Sequence, residues 1–268
     1  MEGQNLIFES RYDEGKRDRL PALAAELVDR KVSIIFARGT PAAQAAKGAT
    51  TTIPIVMVFV ADPVRSGLVM SLARPGANVT GMAFFGPDVI TKQLALLKEV
   101  VPRASSVGVL FDPLNPAQIE QLAHDVPAAA AVLAVKIHPL KVDAATTLDA
   151  IFAEAVRKRA DALLVYPLGR AASVAEVANL AIKHRQVTIA TFRAHAEEGL
   201  LMSFGAGVDE QFQRAAIYID RILRGARPVD LPVERPRKFD LVINMKTAKA
   251  LGLTIPPSLL QRADQVIE

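Results

Sequence analysis

The sequence predicts an α/β protein made of two doubly wound parallel-sheet lobes joined by a hinge. Short apolar strands alternate with helices of 3.6-residue periodicity along nearly the whole chain, which is the pattern of parallel sheets with right-handed crossovers. Strands such as 53–61 are continuously apolar, as expected when helices cover both faces of a sheet. The chain has 268 residues, 51% of them hydrophobic, and can bury two modest cores.

The first third of the chain alternates strands with helices. The segment from Leu6 to Tyr12 alternates weakly between apolar and polar residues and is predicted as a strand. Thr40 is predicted to be the N-cap of a helix whose first residue is Pro41. The other predicted strands cover 32–37, 53–61 and 78–85, and the predicted helices cover 20–28, the segment from 40, and 89–101.

The rest of the chain repeats the alternation. The predicted strands cover 106–111, 135–140, 162–166, 187–192, 200–204 and 239–244, and the predicted helices cover the segment from about 117, 148–156, 174–182, 212–223 and 258–267. Pro127 is expected to kink or break its helix because it lacks a backbone donor. Hinge crossings are expected near 79–82, 201–205 and 244. These crossings predict that lobe 1 consists of 1–80 with 204–243, and lobe 2 of 81–203 with 244–268.

Composition excludes several classes of protein. The chain has no Cys, which excludes disulfides, thiolate metal sites and thiol catalysis. The net charge of +4 comes from dispersed residues with no recognition element, so no nucleic-acid partner is predicted. No apolar run approaches a membrane-spanning length, and the N-terminus lacks the pattern of a signal peptide. No metal or cofactor is predicted, and the four histidines are predicted to lie on the surface: His124, His138, His184 and His195.

Polar residues follow several predicted strands. The Thr40 hydroxyl and the free amides of Ala42 and Ala43 can hold a carboxylate at a helix N-terminus, and the alternative is an ordinary cap. Asp62 can pair with an ammonium group or cap a turn. Asp112 and Asn115 can face a ligand or cap the next helix. Aromatic residues at strand ends can stack on a ring or belong to the core: Phe84, Phe85, Phe111, Tyr166, Phe192 and Phe204.

An enzyme is the weaker interpretation of the same residues. Asp62 and Asp112 both follow strands, and a hydrolase or lyase would use them as acid and base. Each is followed by Pro, however, which is typical of a turn. The common sequence motifs of hydrolases, nucleotide-binding proteins and zinc proteases are absent from the sequence.

Several long motifs resemble those of a known family. They are the run from Asp62 to Gly81 (DPVRSGLVMSLARPGANVTG), Gly39 to Ala43, Ala49 to Val56, Lys92 to Glu99 (KQLALLKE), and the segment from Leu231 to Pro257. Over essentially the whole chain they resemble the substrate-binding proteins of ABC transporters whose better-known members bind tryptophan or tyrosine. The resemblance implies a two-lobed fold of the periplasmic-binding-protein type I and a periplasmic or other extracytoplasmic location.

The resemblance also implies a ligand site in the Thr40 loop, at Asp62, just after Gly81, in the Asp112 loop, and at Tyr166 and Phe192. With the strand-end Phe204 added, the candidate ligand-binding residues are Gly39, Thr40, Pro41, Ala42, Asp62, Met82, Phe84, Asp112, Asn115, Tyr166, Phe192 and Phe204. The implied partners are a small carboxylate-bearing ligand, with an aromatic amino acid as first candidate, and an ABC permease. A cytoplasmic ligand-sensing module is the alternative binding function.

The family normally carries an export signal, a strand and a helix before the residues that match 2–5 here. The sequence is therefore expected to have a truncated start. If the native protein begins at Met1, its first lobe is expected to be less stable and its ligand binding weaker. Exposed sheet edges pair readily with other chains. A monomer is expected, or a dimer if the truncated lobe pairs its edges.

Overall fold

The computed structural model describes residues 6–84, 87–143, 145–169 and 171–268. The chain divides into two compact units, of which unit 1 comprises 1–85 with 209–236 and unit 2 comprises 86–208 with 237–268. None of the helices in these described ranges is long and apolar enough to cross a membrane. The α/β class predicted from the alternation of strands and helices is confirmed.

Most of the elements follow one another in the expected order. The helices are α1 (Leu20–Asp29), α2 (Thr40–Ala49), α3 (Pro87–Val100), α4 (Pro116–Glu120), α5 (Val126–Leu133), α6 (Leu148–Arg157), α7 (Val174–Lys183), α8 (Arg193–Glu197), α9 (Val208–Leu223), α10 (Met245–Leu251) and α11 (Pro257–Leu260). The strands are β1 (Ile35–Arg38), β2 (Ile55–Val60), β3 (Val79–Ala83), β4 (Ser106–Phe111), β5 (Lys136–Lys141), β6 (Ala162–Val165), β7 (Val187–Ala190), β8 (Met202–Ala206), β9 (Phe239–Asn244) and β10 (Gln265–Ile267).

Unit 1 contains a parallel sheet with the strand order β1-β2-β3. One face carries Ile35, Ile55 and Met57, which form a core with Ala43 and Ala46 of α2. The other face of β2 packs against α9 through a second apolar cluster of buried residues: Val56, Val58, Met82, Ala215, Tyr218, Ile222 and Leu231. Because helices cover both faces, β2 is apolar along its whole length, as the sequence predicted.

Unit 2 contains a seven-stranded sheet with the order β10-β9-β8-β7-β6-β4-β5. The strands from β4 to β8 are parallel, whereas β9 runs antiparallel to β8 and pairs with β10 in parallel. The predicted lobe 1 included 204–243. The five-residue pairing of β8 with β9 instead keeps both strands in unit 2. The chain passes between units after 85, 208 and 236. The first two crossings therefore follow β3 and β8 instead of lying within them, and the third precedes β9 instead of lying near 244.

The predicted strand over Leu6–Tyr12 is wrong. Leu6 has an isolated bridge, and the rest of this segment is irregular. Its alternation was weak, and two of its apolar side chains, Ile7 and Phe8, are 84% and 64% exposed. Arg11 ties the segment to α1 through an ion pair with Glu26 at 2.8 Å. A segment that leaves its apolar side chains in water gains little from joining a sheet.

Three other differences concern helices. Pro127 does not end the helical segment, since it is the second residue of α5, but a π-helical turn over Gln121–Asp125 interrupts the regular α-helical bonding just before it. The predicted helix over 258–267 is reduced to the single turn of α11, and β10 follows it. The prediction also omitted the short helices α8 and α10.

Candidate functional site

The candidate residues of unit 1 follow its three strands. β1, β2 and β3 are parallel, so Gly39, Ala61 and Phe84 lie beyond the same edge of the sheet. The carboxyl edge of an open α/β sheet is the usual place for a ligand, because the connecting loops and helix N-termini converge there. The order of the strands therefore brings the Thr40 loop, the Asp62 loop and the residues after Gly81 to one edge.

Gly39 is the N-cap of α2, in place of the predicted Thr40. Its φ of 85° and ψ of 158° belong to a region that only glycine adopts readily, and its amide donates to the Val58 carbonyl at 2.8 Å. Thr40 is the first helical residue, with its side chain buried and its hydroxyl accepting from the Ala61 amide at 3.5 Å. The Ala43 amide is already bonded to the Gly39 carbonyl at 3.1 Å, so it is not free for a ligand.

Asp62 caps a turn. Its Oδ1 accepts from the amides of Val64 and Arg65 at 3.0 and 2.9 Å, and its Oδ2 lies 3.6 Å from the Arg65 guanidinium. The turn-capping alternative predicted for Asp62 is therefore present. The side chain is nevertheless 44% exposed, so a fixed carboxylate still reaches solvent.

The side chains that directly follow Gly81 are buried in the core of unit 1. Met82 and Phe84 are each 1% exposed, and the Phe84 amide donates to the Val60 carbonyl at 2.7 Å. The Phe84 ring meets the Phe59 ring edge-on, with centroids 5.1 Å apart. The nearby Phe85 lies outside the described residues.

Sequence reasoning missed Phe59. This residue has a φ of 55° at a register shift between Met57 and Val60, where β2 and β3 lose their regular pairing. The guanidinium of Arg38 lies over the Phe59 ring at 5.3 Å, and the Phe212 ring meets it edge-on at 5.4 Å. A φ above zero at a bulky residue is the signal that marks this strand end as special, and no sequence pattern reports it.

In unit 2 the Asp112 loop follows β4. Asp112 is buried, and its Oδ1 accepts from the Leu114 amide at 2.8 Å. Asn115 is the N-cap of α4, since its Oδ1 accepts from the Ala117 amide at 3.2 Å. The capping alternative predicted for this loop is therefore present. Because both side chains are fixed, any polar group that they offer to a ligand is already oriented.

Tyr166 follows β6 and is 1% exposed within the apolar core of unit 2. Its amide donates to the Leu110 carbonyl at 3.0 Å, which extends the ladder between β4 and β6. Burial raises the pKa of the Tyr166 hydroxyl far above its ordinary value, and Asp125 raises it further. The hydroxyl has no hydrogen-bond partner among the described residues.

Phe192 and Phe204 belong to the β7 and β8 segments. Phe192 meets the ring of His195 edge-on at 5.3 Å, and Phe204 stacks on Phe239 at 5.8 Å. His195 was predicted to lie on the surface, but it is mostly buried, and burial lowers its pKa to about 4. His184 likewise stacks on a core phenylalanine, with its Nε2 buried. Both helical segments turn these rings inward, which scattered positions in a sequence do not reveal.

The part of the chain that the structure describes offers no cluster for metal chemistry. Among the described residues no group of three or more His, Cys, Asp or Glu side chains is placed to hold a metal ion. Asp62 belongs to unit 1 and Asp112 to unit 2, and each caps its own turn. Both carboxylates therefore have a local structural role.

Several known proteins are similar to this chain over nearly its whole length. The tyrosine-binding protein of Clostridioides difficile (strain R20291) is 28% identical over 257 residues, which cover 94% of this chain and 72% of that protein. A conserved domain protein from Vibrio cholerae superposes with a TM-score of 0.91 at 29% identity, covering 99% of this chain and 88% of the other. An ABC domain from Streptococcus pneumonia in complex with L-Trp gives a TM-score of 0.90 at 26% identity, covering 99% and 89%.

A family model described as ABC transporter substrate binding protein matches residues 1–267. The match agrees with the α/β units and with the motifs identified in the sequence. The chain belongs to the ABC transporter substrate-binding protein family.

Proposed function

We propose that this chain is the solute-binding component of an ABC importer and closes its two units over a small carboxylate-bearing ligand, with an aromatic amino acid as the first candidate. The observation that carries the proposal is the presence of oriented polar groups and aromatic rings at strand ends in both units. The relatives support the choice of ligand, because one is named a tyrosine-binding protein and another was solved with L-Trp.

Unit 1 is proposed to bind the α-carboxylate and α-ammonium groups. The N-terminus of α2 offers the Thr40 hydroxyl and the amides of Thr40 and Ala42, and Gly39 lets the chain turn closely into that helix while Pro41 continues it. The helix dipole favours an anion there by about 0.3–1 kcal/mol. Asp62 provides a partly exposed carboxylate for the ammonium group, already held by two amides.

Unit 2 is proposed to bind the ligand side chain. Phe192 and Phe204 offer ring faces and edges, and Asp112 and Asn115 provide polar groups at the end of β4. Aromatic pairs add about 0.5–1.5 kcal/mol beyond the area that they bury.

The three candidates with 1% exposure are proposed to shape the walls of the site from within the core. They are Met82, Phe84 and Tyr166. Their rings and thioether pack against neighbouring side chains, so they act by fixing the residues that touch the ligand.

The proposed role requires binding and release without bond cleavage. Ligand contacts made only in the closed state shift the population of open and closed forms. The family is extracytoplasmic, and the proposed partner that receives the ligand is a membrane permease. We propose a monomer as the working form.

Calorimetry with amino acids and matched analogues tests the proposal. L-Trp, L-Tyr, L-Phe and L-Leu are compared with tryptamine, which lacks the carboxylate, and indole-3-propionate, which lacks the ammonium group. At a ligand concentration a hundred times the Kd, binding adds about 2.7 kcal/mol to the free energy of unfolding, which is equivalent to a rise in Tm of about 5–10 °C. Failure of all four amino acids to bind or to raise the Tm would contradict the proposal.

The variant Asp62→Asn tests the ammonium contact. It is expected to lower the affinity for L-Trp about tenfold and to leave the affinity for indole-3-propionate within twofold of the wild type, because only L-Trp carries the positive charge that Asp62 neutralises. Asp230→Asn is the matched control, since Asp230 is an exposed carboxylate of unit 1 paired with Arg227 at 2.7 Å. Equal losses for both ligands would show that Asp62 only shapes its turn.

A further inference from the structure

The backbone pairing of two pairs of neighbouring strands stops before the carboxyl edge of the seven-stranded sheet. The β7–β8 pairing ends at Ala190 and Ser203, although β8 continues to Ala206. The β4–β6 pairing ends at Leu110 and Val165, followed by one more bond to the Tyr166 amide. Backbone groups beyond these points need other partners, because buried peptide groups left without hydrogen bonds are strongly destabilising.

A buried glutamine of α3 completes the β7–β8 pair. The Nε2 of Gln93 donates to the Phe204 carbonyl at 2.8 Å and lies 3.5 Å from the Thr191 hydroxyl. Gln93 is 0% exposed, and its Oε1 has no hydrogen-bond partner among the described residues. Its side chain therefore links the end of β7 to β8 where the backbone ladder no longer does so.

A second buried glutamine, on α4, completes the β4–β6 pair. The Oε1 of Gln118 accepts from the Asp112 amide at 2.8 Å, and its Nε2 donates to the Pro167 carbonyl at 2.8 Å. One side-chain amide thus takes the place of a backbone rung between the ends of the two strands. Both of its hydrogen-bonding ends are used, which is what a glutamine buried to 4% exposure requires.

The residues joined by these glutamines are the proposed ligand residues or their direct neighbours. Gln93 forms hydrogen bonds with Phe204 and with Thr191, which precedes Phe192. Gln118 forms hydrogen bonds with Asp112 and with Pro167, which follows Tyr166. An apolar residue of the same volume would fill the space but leave the strand ends unlinked.

We propose that Gln93 and Gln118 are positioning residues that hold these strand ends of unit 2 in the geometry that binds ligand. This inference rests on the proposed binding function. It also gives a role to Gln93 within the Lys92–Glu99 motif, which the proposed ligand contacts do not include. Neither glutamine is required to touch the ligand.

The test compares Gln93→Met and Gln118→Met with Gln186→Met. Methionine keeps the length and approximate volume of glutamine but makes no amide hydrogen bond. Gln186 is the matched control because it is buried in the same unit but precedes β7, at the opposite end of that strand. Its Oε1, like that of Gln93, has no hydrogen-bond partner among the described residues. All three variants are expected to lower the Tm.

Only the first two are expected to weaken L-Trp binding, by about tenfold each in calorimetry at 25 °C, well below the Tm. The control is expected to stay within twofold of the wild type. Unchanged affinity in both folded variants, or an equal loss in the control, would overturn the positioning role. A wild-type chain that binds none of the four amino acids would instead overturn the proposed function.

Amide exchange in the ligand-free protein gives a readout that does not depend on binding. The Asp112 amide is expected to exchange at least tenfold faster in Gln118→Met, because its acceptor is lost. Gln118→Glu keeps that acceptor and is expected to keep the protection, and it replaces Gln118→Met in calorimetry if the latter does not fold. Equal protection of Asp112 in wild type and Gln118→Met would overturn the proposed link.

Discussion

Gly205 of β8 lies against Thr191, the residue that follows β7, and a single methyl group there is predicted to destabilise unit 2. A β-carbon added to Gly205 would lie 2.1 Å from the Thr191 carbonyl oxygen and 2.9 Å from the Thr191 Cγ2. The nearer contact is with backbone, so no change of rotamer can relieve it. The substitution Gly205→Ala must therefore push the two segments apart.

The magnitude follows from the distance. Overpacking a core typically costs about 1–3 kcal/mol, and a clash with backbone belongs at the upper end of that range. About 3 kcal/mol corresponds to a decrease in Tm of about 6–12 °C for a protein of this size. The same movement disturbs the Phe204 carbonyl that Gln93 holds, so ligand affinity is expected to fall as well.

Thermal unfolding monitored by circular dichroism measures the effect against Gly207→Ala. The nearest atom to a β-carbon at Gly207 is an Asp240 carboxylate oxygen at 3.7 Å, which is an ordinary contact. The control variant is expected to stay within about 2 °C of the wild type, because surface-like substitutions usually change stability by no more than about 0.5 kcal/mol. A Gly205→Ala protein with the same Tm as the control variant would show that the Thr191 backbone does not clash with a β-carbon at residue 205.

Two predictions concern pH. Burial, followed by the nearby Glu234, raises the pKa of Tyr218 to about 12. The contribution of Tyr218 to folding stability is therefore present below pH 10 and is lost as the pH rises from 10 to 12. Tyr218→Phe also loses the hydrogen bond that the hydroxyl donates to the Pro232 carbonyl at 2.6 Å. Urea unfolding should show a free energy of unfolding lower by about 1–3 kcal/mol at pH 8, and a smaller loss of stability above pH 10 than in the wild type. A parallel decline in both proteins would contradict the assignment. Burial lowers the pKa of His195 to about 4, so the unfolded chain binds the extra proton and stability falls as the pH drops from 6.5 towards 4. His195→Gln should remove up to about 1.4 kcal/mol per pH unit from that slope in the same assay, and an unchanged slope would show that His195 does not cause it.

Strand positions were predictable where apolar runs are long and bounded by turn residues. The prediction for 106–111 matches β4, which five buried residues and a following Asp-Pro pair define. The prediction for 6–12 failed because weak alternation does not reveal whether a partner strand or a covering layer is present. The N-cap of α2 was misplaced by one residue, since the φ of Gly39 is decided by how β1 joins that helix.

The candidate ligand residues were predictable only as positions after strands. Their two roles, capping and binding, use the same atoms in Asp62, Asp112 and Asn115, and the structure shows the capping contacts. The strand order of each sheet decides which of these ends are neighbours, and that order is a long-range property.

By itself the sequence determined the α/β class, most of the element order and, through its long motifs, the family. Hydrophobic periodicity and turn residues are local signals, so they survive in a linear reading of the chain. Only the tertiary structure assigned β8 and β9 to one sheet and buried His195. It alone placed Gln93 and Gln118 as side-chain links between neighbouring strand ends. The physical reason is that the side-chain amides of these buried glutamines donate to carbonyl groups 49 and 111 residues away along the chain, and no local pattern encodes those partners.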